Sequence, residues 1–144
     1  MVRNKDRIHV MLYARSGPGY HWAPTWSPKD EGLESTTETT RYHVVNDPYG
    51  HWQYEAISTR SSPTPRALVR LTLGKVKRSD VNKLEEILEN IPIVQDDLTW
   101  TCRSWVEAAV EELGRAHILR THNWEAVESD ALWYVQSKLI IGRR

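Results

Sequence analysis

The stretch Thr99-Trp100-Thr101-Cys102-Arg103-Ser104-Trp105-Val106 contains the only cysteine of this 144-residue chain. From the cysteine onward, apolar residues recur at the spacing of one buried helical face: Cys102, Trp105, Val106, Ala109 and Leu113. Gly114 is a typical helix stop, and the threonines at 99 and 101 are typical N-caps. The pattern therefore predicts a helix with Cys102 in or just before its first turn.

A cysteine at a helix N-terminus lies beside unpaired backbone N–H groups and the positive end of the helix dipole. These groups favour thiolate over thiol, and they can also stabilise an oxyanion. A lone cysteine on an apolar helical face is also typical of a small buried core residue. The stretch by itself therefore has two interpretations, a catalytic nucleophile and a core side chain.

Length and charge restrict the class of protein. A chain of 144 residues is typical of one domain, so we expect residues 1–144 to form a single domain. Lys plus Arg and Asp plus Glu number 19 each, which argues against nucleic acid or an anionic membrane as a partner for the whole protein. A single cysteine excludes an internal disulfide and a thiolate-rich zinc site. No apolar run has the length of a signal-peptide core or a bilayer span, so we predict a cytoplasmic protein without a membrane span.

Strand-forming segments come first in the sequence, and helix-forming segments follow. Alternation and turn residues predict strands at 8–13, 20–26, 40–45, 51–57 and 67–73. Pro24 has no N–H, so we expect the second strand to be bulged, to lie at an edge or to end early. Helices are predicted from Ser79 or Asp80 to Asn90, over the cysteine stretch, and from Asn123 or Ser129 onward. The order predicts an α+β fold, with an antiparallel sheet of about five strands and helices packed on it.

Two of the six histidines lie in Tyr-His dipeptides within strands that we expect to be neighbours, His21 and His43. Cysteine catalysis needs a base within reach of the sulfur and a group that orients that base, and these two histidines are the candidates. The other four are expected to be surface residues or to be satisfied by neighbours: His9, His51, His117 and His122. No two histidines have the helical i, i+4 spacing of metal ligands, and no carboxylate is evidently paired with them, so we predict no metal and no cofactor.

Three short motifs in the order His, His, Cys carry a resemblance: Tyr20-His21-Trp22-Ala23, Tyr42-His43-Val44 and Cys102-Arg103-Ser104-Trp105-Val106. They resemble the circularly permuted papain-like enzymes, above all the lecithin:retinol acyltransferase-like class, which includes small phospholipase/acyltransferases. That class has a His-Trp-Ala strand, a second histidine on the next strand, and a helix that opens with Asn-Cys-Glu-His-Phe-Val. The chain is also similar to small uncharacterised fungal proteins with Tyr-His-Trp, Tyr-His and Trp-Thr-Cys-Arg-Ser-Trp-Val motifs.

The resemblance implies a permuted papain-like fold with Cys102 as nucleophile, His21 as general base and His43 as the group that orients the base. The implied chemistry is hydrolysis or transfer of an ester, thioester or amide through a thioester at Cys102. Pro24, the long loop that follows the histidine strand and the lack of a membrane anchor depart from the lipid-acting pattern. We therefore expect a small-molecule or carrier-bound acyl substrate, bound by aromatic residues near the motifs: Tyr20, Trp22, Trp26 and Trp100.

Two alternative functions stay open. A cysteine peptidase or isopeptidase would have an open groove lined with tryptophans. A non-catalytic ligand-binding module on the same scaffold would leave Cys102 inert. Arg66 and Arg70, with the basic residues that follow them, could bind a phosphate such as that of a pantetheine arm, although a solvated strand face is the simpler interpretation.

The proposed roles of the histidines require both rings to lie on the same face of the sheet. Side chains alternate along a strand, so His21, Ala23 and Thr25 share one face, and Arg41 and His43 share another. We predict that these two faces coincide and that the cysteine helix covers them. The sequence does not predict an oligomeric state.

Overall fold

The computed structural model describes residues 5–15, 19–28, 38–60, 67–120 and 123–142. Strands come first in these ranges: β1 (Lys5–Tyr13), β2 (His21–Ser27), β3 (Glu38–Asn46), β4 (Trp52–Arg60) and β5 (Ala67–Lys77). A 3-10 turn at Arg78–Asp80 leads to the helices α1 (Val81–Glu89), α2 (Cys102–Arg115) and α3 (Trp124–Gly142). The predicted α+β fold with a five-stranded antiparallel sheet and packed helices is confirmed.

The strands form one sheet in the order β4-β3-β2-β1-β5, so the last strand lies beside the first. On β1, every second residue from Ile8 to Leu12 is fully buried. On β5, Val69 and Leu73 are buried and Arg70 is exposed, which agrees with the predicted alternation. One face of the sheet therefore forms the apolar core together with the helices.

Pro24 lies in β2, the central strand, and pairs with Val10 of β1 without a register shift. The expectation of a bulge, an edge or an early strand end was therefore wrong. Between the described residues of β2 and β3, the ladder contains only two pairs, Thr25 with Arg41 and Trp26 with Thr40. Proline is tolerated at this position because no ladder pair to β3 requires its N–H. The end of β2 that holds His21 has no ladder pair with the described residues of β3.

Helix α2 packs its predicted face onto β2 and β3, and Trp105 and Val106 are fully buried as expected. Gly114 does not end the helix, which continues to Arg115. The left-handed residue of the helix end is His117, with φ at 57°. The N–H groups of residues 117 and 118 return to the carbonyls of residues 114 and 113, which is the Schellman arrangement.

The other helices begin close to the predicted positions. Asn123 caps α3, since its side-chain oxygen accepts the N–H of Glu125 at 2.8 Å. On α3, Val135 is fully buried. In the part of the chain that the structure describes, no helix has the length and apolar character needed to cross a membrane.

Candidate active site at the start of strand β2

His21 and His43 are in direct contact. Nε2 of His21 lies 2.8 Å from Nδ1 of His43, and Nε2 of His43 lies 2.9 Å from Oε1 of Glu55. Glu55 is the residue of β4 that pairs with His43 in the β3–β4 ladder. The three side chains form a continuous line of hydrogen bonds, which we call the relay. The prediction that the two histidine faces coincide is confirmed, whereas the participation of Glu55 was missed.

The direction of these hydrogen bonds follows from the chemistry of the groups. An ionised carboxylate only accepts, so His43 donates its Nε2–H to Glu55. In neutral His43 the other ring nitrogen, Nδ1, is then an acceptor, and it accepts the Nε2–H of His21. Nδ1 of His21 keeps a lone pair and has no hydrogen-bond partner among the described residues. The relay therefore ends in a basic nitrogen, as a general base requires.

Both histidines are held in the neutral form. The pKa of His21 is lowered to about 4, first by burial and then by electrostatic interactions with His43, Arg41 and Arg15. Burial also lowers the pKa of His43, although the hydrogen bond to Glu55 acts in the opposite direction. Neutral imidazoles near pH 7 leave the lone pair of His21 Nδ1 available to accept a proton.

Cys102 is the first residue of α2, as predicted. The Thr101 side chain caps the helix by accepting the N–H of Arg103 at 3.3 Å, and the Ser104 hydroxyl accepts the N–H of Thr101 at 3.1 Å. The thiol is only 2% exposed and donates to the carbonyl oxygen of Tyr20 at 3.9 Å. Because Tyr20 directly precedes His21, the thiol and the relay lie at the same end of β2.

The histidine face of the sheet is not the face that the helices cover. Trp22 packs against α3 and Tyr54 packs against α2. His21 and Glu55, their neighbours along the strands, point the opposite way because side chains alternate. The expectation that the cysteine helix would cover the histidine face was therefore wrong, since the large aromatic side chains bury more apolar area against the helices. Cys102 approaches β2 at its first residues, and within the described ranges it makes no hydrogen bond to either histidine.

The four aromatic residues predicted to bind substrate lie in different environments. Trp22 is a core side chain, only 3% exposed. Trp26 is half-buried and donates its indole N–H to Asp6 at 3.2 Å. Tyr20 and Trp100 are half-buried at the edge of the core. Burial does not favour a substrate contact for Trp22, whereas the other three keep exposed surface.

The remaining histidines behave as expected where the structure describes them. His9 is buried, and each of its ring nitrogens lies within 3.0 Å of a hydroxyl oxygen. His51 and His117 are exposed, and His122 lies outside the described residues. These histidines therefore give no reason to move the candidate site away from the relay.

The described residues also bear on the phosphate and metal hypotheses. Arg66 lies outside the described ranges, and the guanidinium of Arg70 lies 2.8 Å from Nε2 of His9. At least one N–H donor of Arg70 is therefore occupied by a contact within the protein. Over the described ranges, no group of three or more His, Cys, Asp or Glu side chains is arranged to hold a metal ion.

Comparison with known proteins yields one match. A family model described as a family of unknown function, DUF6914, matches residues 5–143. The comparisons with curated proteins and with solved structures find no match. The matched residues include both histidine strands, Glu55 and the cysteine helix. Because the match spans nearly the whole sequence, the chain belongs to the DUF6914 family.

Proposed function

We propose that the chain is a cysteine-dependent acyl hydrolase or acyltransferase on a permuted papain-like scaffold. In this proposal Cys102 forms a thioester with a small-molecule or carrier-bound acyl group, and His21 of the relay accepts and returns the proton. The observation that carries the proposal is the relay itself, which ends on a ring nitrogen of His21 that has no hydrogen-bond partner among the described residues. The residue before His21 supplies the carbonyl that the thiol contacts.

The first chemical step is a proton transfer. The resting thiol bonds to the Tyr20 carbonyl, a contact that only the protonated form makes. This step requires Sγ to leave that carbonyl and to come within hydrogen-bond reach of Nδ1 of His21, at the same end of β2. The proton then passes from Sγ to Nδ1 of His21, while the Glu55 carboxylate, acting through His43, stabilises the positive charge.

The second step forms the covalent intermediate. The thiolate attacks the acyl carbon, and the leaving group departs with the proton from His21. Water or an acceptor hydroxyl or amine then attacks the thioester, and its proton returns through His21 to regenerate the thiol. The backbone N–H of Cys102 has no partner among the described residues, and it would lie close to the acyl group that the sulfur attacks. A helix N-terminus at this position would stabilise the oxyanion.

The burial of the thiol favours a second candidate function. At 2% exposure and bonded to a carbonyl, Cys102 also fits a core residue of a non-catalytic ligand-binding module. In such a module the relay would bind a ligand rather than activate a thiol. The two functions differ in whether native Cys102 reacts and whether that reaction depends on His21.

Acyl-enzyme formation separates the two functions. The native protein is incubated with p-nitrophenyl acetate, and its intact mass is followed together with release of nitrophenol. We expect one acetyl group on the wild type and none on Cys102→Ser. His21→Gln should slow acetylation by about 100-fold or more, as expected for loss of a general base, whereas exposed His51→Gln should match the wild type. Acetylation that is absent, independent of Cys102 or equally fast without His21 would overturn the proposal.

A further inference from the structure

Two further side chains stand beside His21 on the relay face. Tyr13 pairs with His21 in the β1–β2 ladder, and the two ring centroids lie 6.2 Å apart. Arg41 precedes His43 by two residues on β3 and therefore shares its face. The guanidinium carbon of Arg41 lies 4.8 Å from the centre of the Tyr13 ring. Tyr13 thus holds a cation close to the basic end of the relay.

The guanidinium of Arg41 has no anionic partner within the described residues. No carboxylate of those residues lies within 4 Å of it, and it makes no hydrogen bond with them. By contrast, Arg103 and Arg115 on α2 are both paired with glutamates. Arg41 is half-buried, so its charge has lost part of its hydration without gaining a counter-ion from the described residues. Its contact with the Tyr13 face is a cation–π contact, which leaves the N–H donors at the guanidinium edge available.

We propose that Arg41, positioned by Tyr13, binds an anionic group of the substrate, a carboxylate or a phosphate, beside His21. The planar guanidinium matches both anions because it can donate two parallel hydrogen bonds to them. This inference rests on the proposed function for the reaction that follows binding. It narrows the substrate class to acyl compounds that carry a negative charge close to the reacting carbonyl.

An anion at this position would also change the pKa of His21, the candidate base. The charges of Arg41 and Arg15 contribute to the lowered pKa of His21. An anion bound to Arg41 offsets that charge, so its binding should raise the pKa of His21 and make the imidazole a stronger base. By linkage, the same anion should bind more tightly when His21 is protonated. The substrate would then activate the relay on binding.

The test measures anion binding in the Cys102→Ser protein, where no covalent chemistry occurs. Inorganic phosphate and succinate are titrated separately at constant ionic strength, and the His21 ring signals are followed by NMR, assigned by their loss in His21→Gln. We expect a saturable shift with at least one of the two anions and a raised His21 pKa at saturation. The anion that saturates the shift identifies phosphate or carboxylate as the bound group.

Matched variants locate the binding group. In Arg41→Gln we expect binding to weaken about tenfold or more, as expected for loss of a charge-assisted hydrogen bond. Arg70→Gln removes an arginine from the same sheet face at β5 and should leave binding unchanged. A shift that does not saturate, an equal loss in both variants or full binding by Arg41→Gln would overturn the inference. Arg41→Lys provides a second test if the glutamine variant does not fold, because it keeps the positive charge. Lysine lacks the planar pair of donors, so this variant should lose most of the affinity for the anion.

This result is separate from the test of the proposed function. Saturable binding that depends on Arg41, in a protein whose wild type forms no acyl-enzyme, would support an anion site and overturn the acyl chemistry. Acyl-enzyme formation with no anion effect on His21 would support the chemistry and overturn the anion site.

Discussion

The Sγ atom of Cys102 lies 3.9 Å from the carbonyl oxygen of Tyr20, the residue directly before His21. This contact connects the first residue of α2 to the start of β2. It brings the candidate nucleophile to the end of the strand that carries the candidate base, although the histidine rings point to the sheet face opposite the helices. A tertiary contact between residues 82 positions apart therefore connects the candidate nucleophile to the histidine strand.

The N-cap of α2 should stabilise the protein measurably. Thr101→Ala removes the hydroxyl that accepts the N–H of Arg103 but keeps the backbone N–H that donates to Ser104, and it should lower the free energy of unfolding by about 1 kcal/mol. Urea denaturation measures the loss. Thr99→Ala is the control, because among the described residues the Thr99 hydroxyl bonds only to the exposed loop residue Asp97, and its removal should cost less. Equal losses would contradict the assignment of Thr101 as the cap that positions Cys102.

Trp105 anchors the cysteine helix and should be a large contributor to stability. It is fully buried, with its ring 5.8 Å from that of Tyr54, so Trp105→Ala should cost about 3 to 5 kcal/mol as a large core truncation. Trp133→Ala is the matched control, since Trp133 is 62% exposed on α3 and its loss should change stability by about 0.5 kcal/mol or less. An unchanged unfolding midpoint for Trp105→Ala would mean that the buried face of α2 is assigned to the wrong residues.

The three relay residues should contribute unequally to turnover. His21→Gln removes the base and should abolish turnover. His43→Gln should leave partial activity, because glutamine still offers one hydrogen bond to His21. Glu55→Gln should leave more activity than His43→Gln. The amide oxygen of the glutamine can still accept the Nε2–H of His43, although the negative charge is lost. Ester turnover and the rate of Cys102 alkylation by iodoacetamide both measure this order, and equal losses would show that the relay acts as one coupled unit.

Stability should fall on mild acidification because His21 is neutral in the folded protein. Its pKa is about 4 in the folded state, against 6.5 for an unperturbed histidine. Between these values the unfolded chain binds a proton that the folded chain does not, so the free energy of unfolding decreases as the pH falls through this window. In the His21→Gln protein, the free energy of unfolding should decrease less over the same pH window. Urea midpoints of both proteins near pH 7 and near pH 4.5 measure the effect, and identical pH dependence would contradict a neutral, half-buried His21.

The sequence alone predicted the start of the cysteine helix, the five strands and the α+β class. These features depend on interactions between residues a few positions apart. Thr101 caps the N–H of Arg103 within the same turn, and side-chain alternation along a strand separates buried from exposed residues. Such local signals can be read without knowledge of the rest of the fold.

The candidate site needed the tertiary structure. His21 contacts His43, 22 positions away, and His43 contacts Glu55 only because β3 and β4 pair in that register. Placement of Tyr13 and Arg41 beside His21 depends on the same registers, as does the position of Pro24 in a central strand. Register and the choice of the helix-covered face are set by the summed packing of the whole sheet against the helices, where the large aromatic side chains dominate the buried area. No local motif contains that information. The sequence therefore predicted the histidines and the cysteine as candidates, and the tertiary structure determined on which side of the sheet the histidines lie.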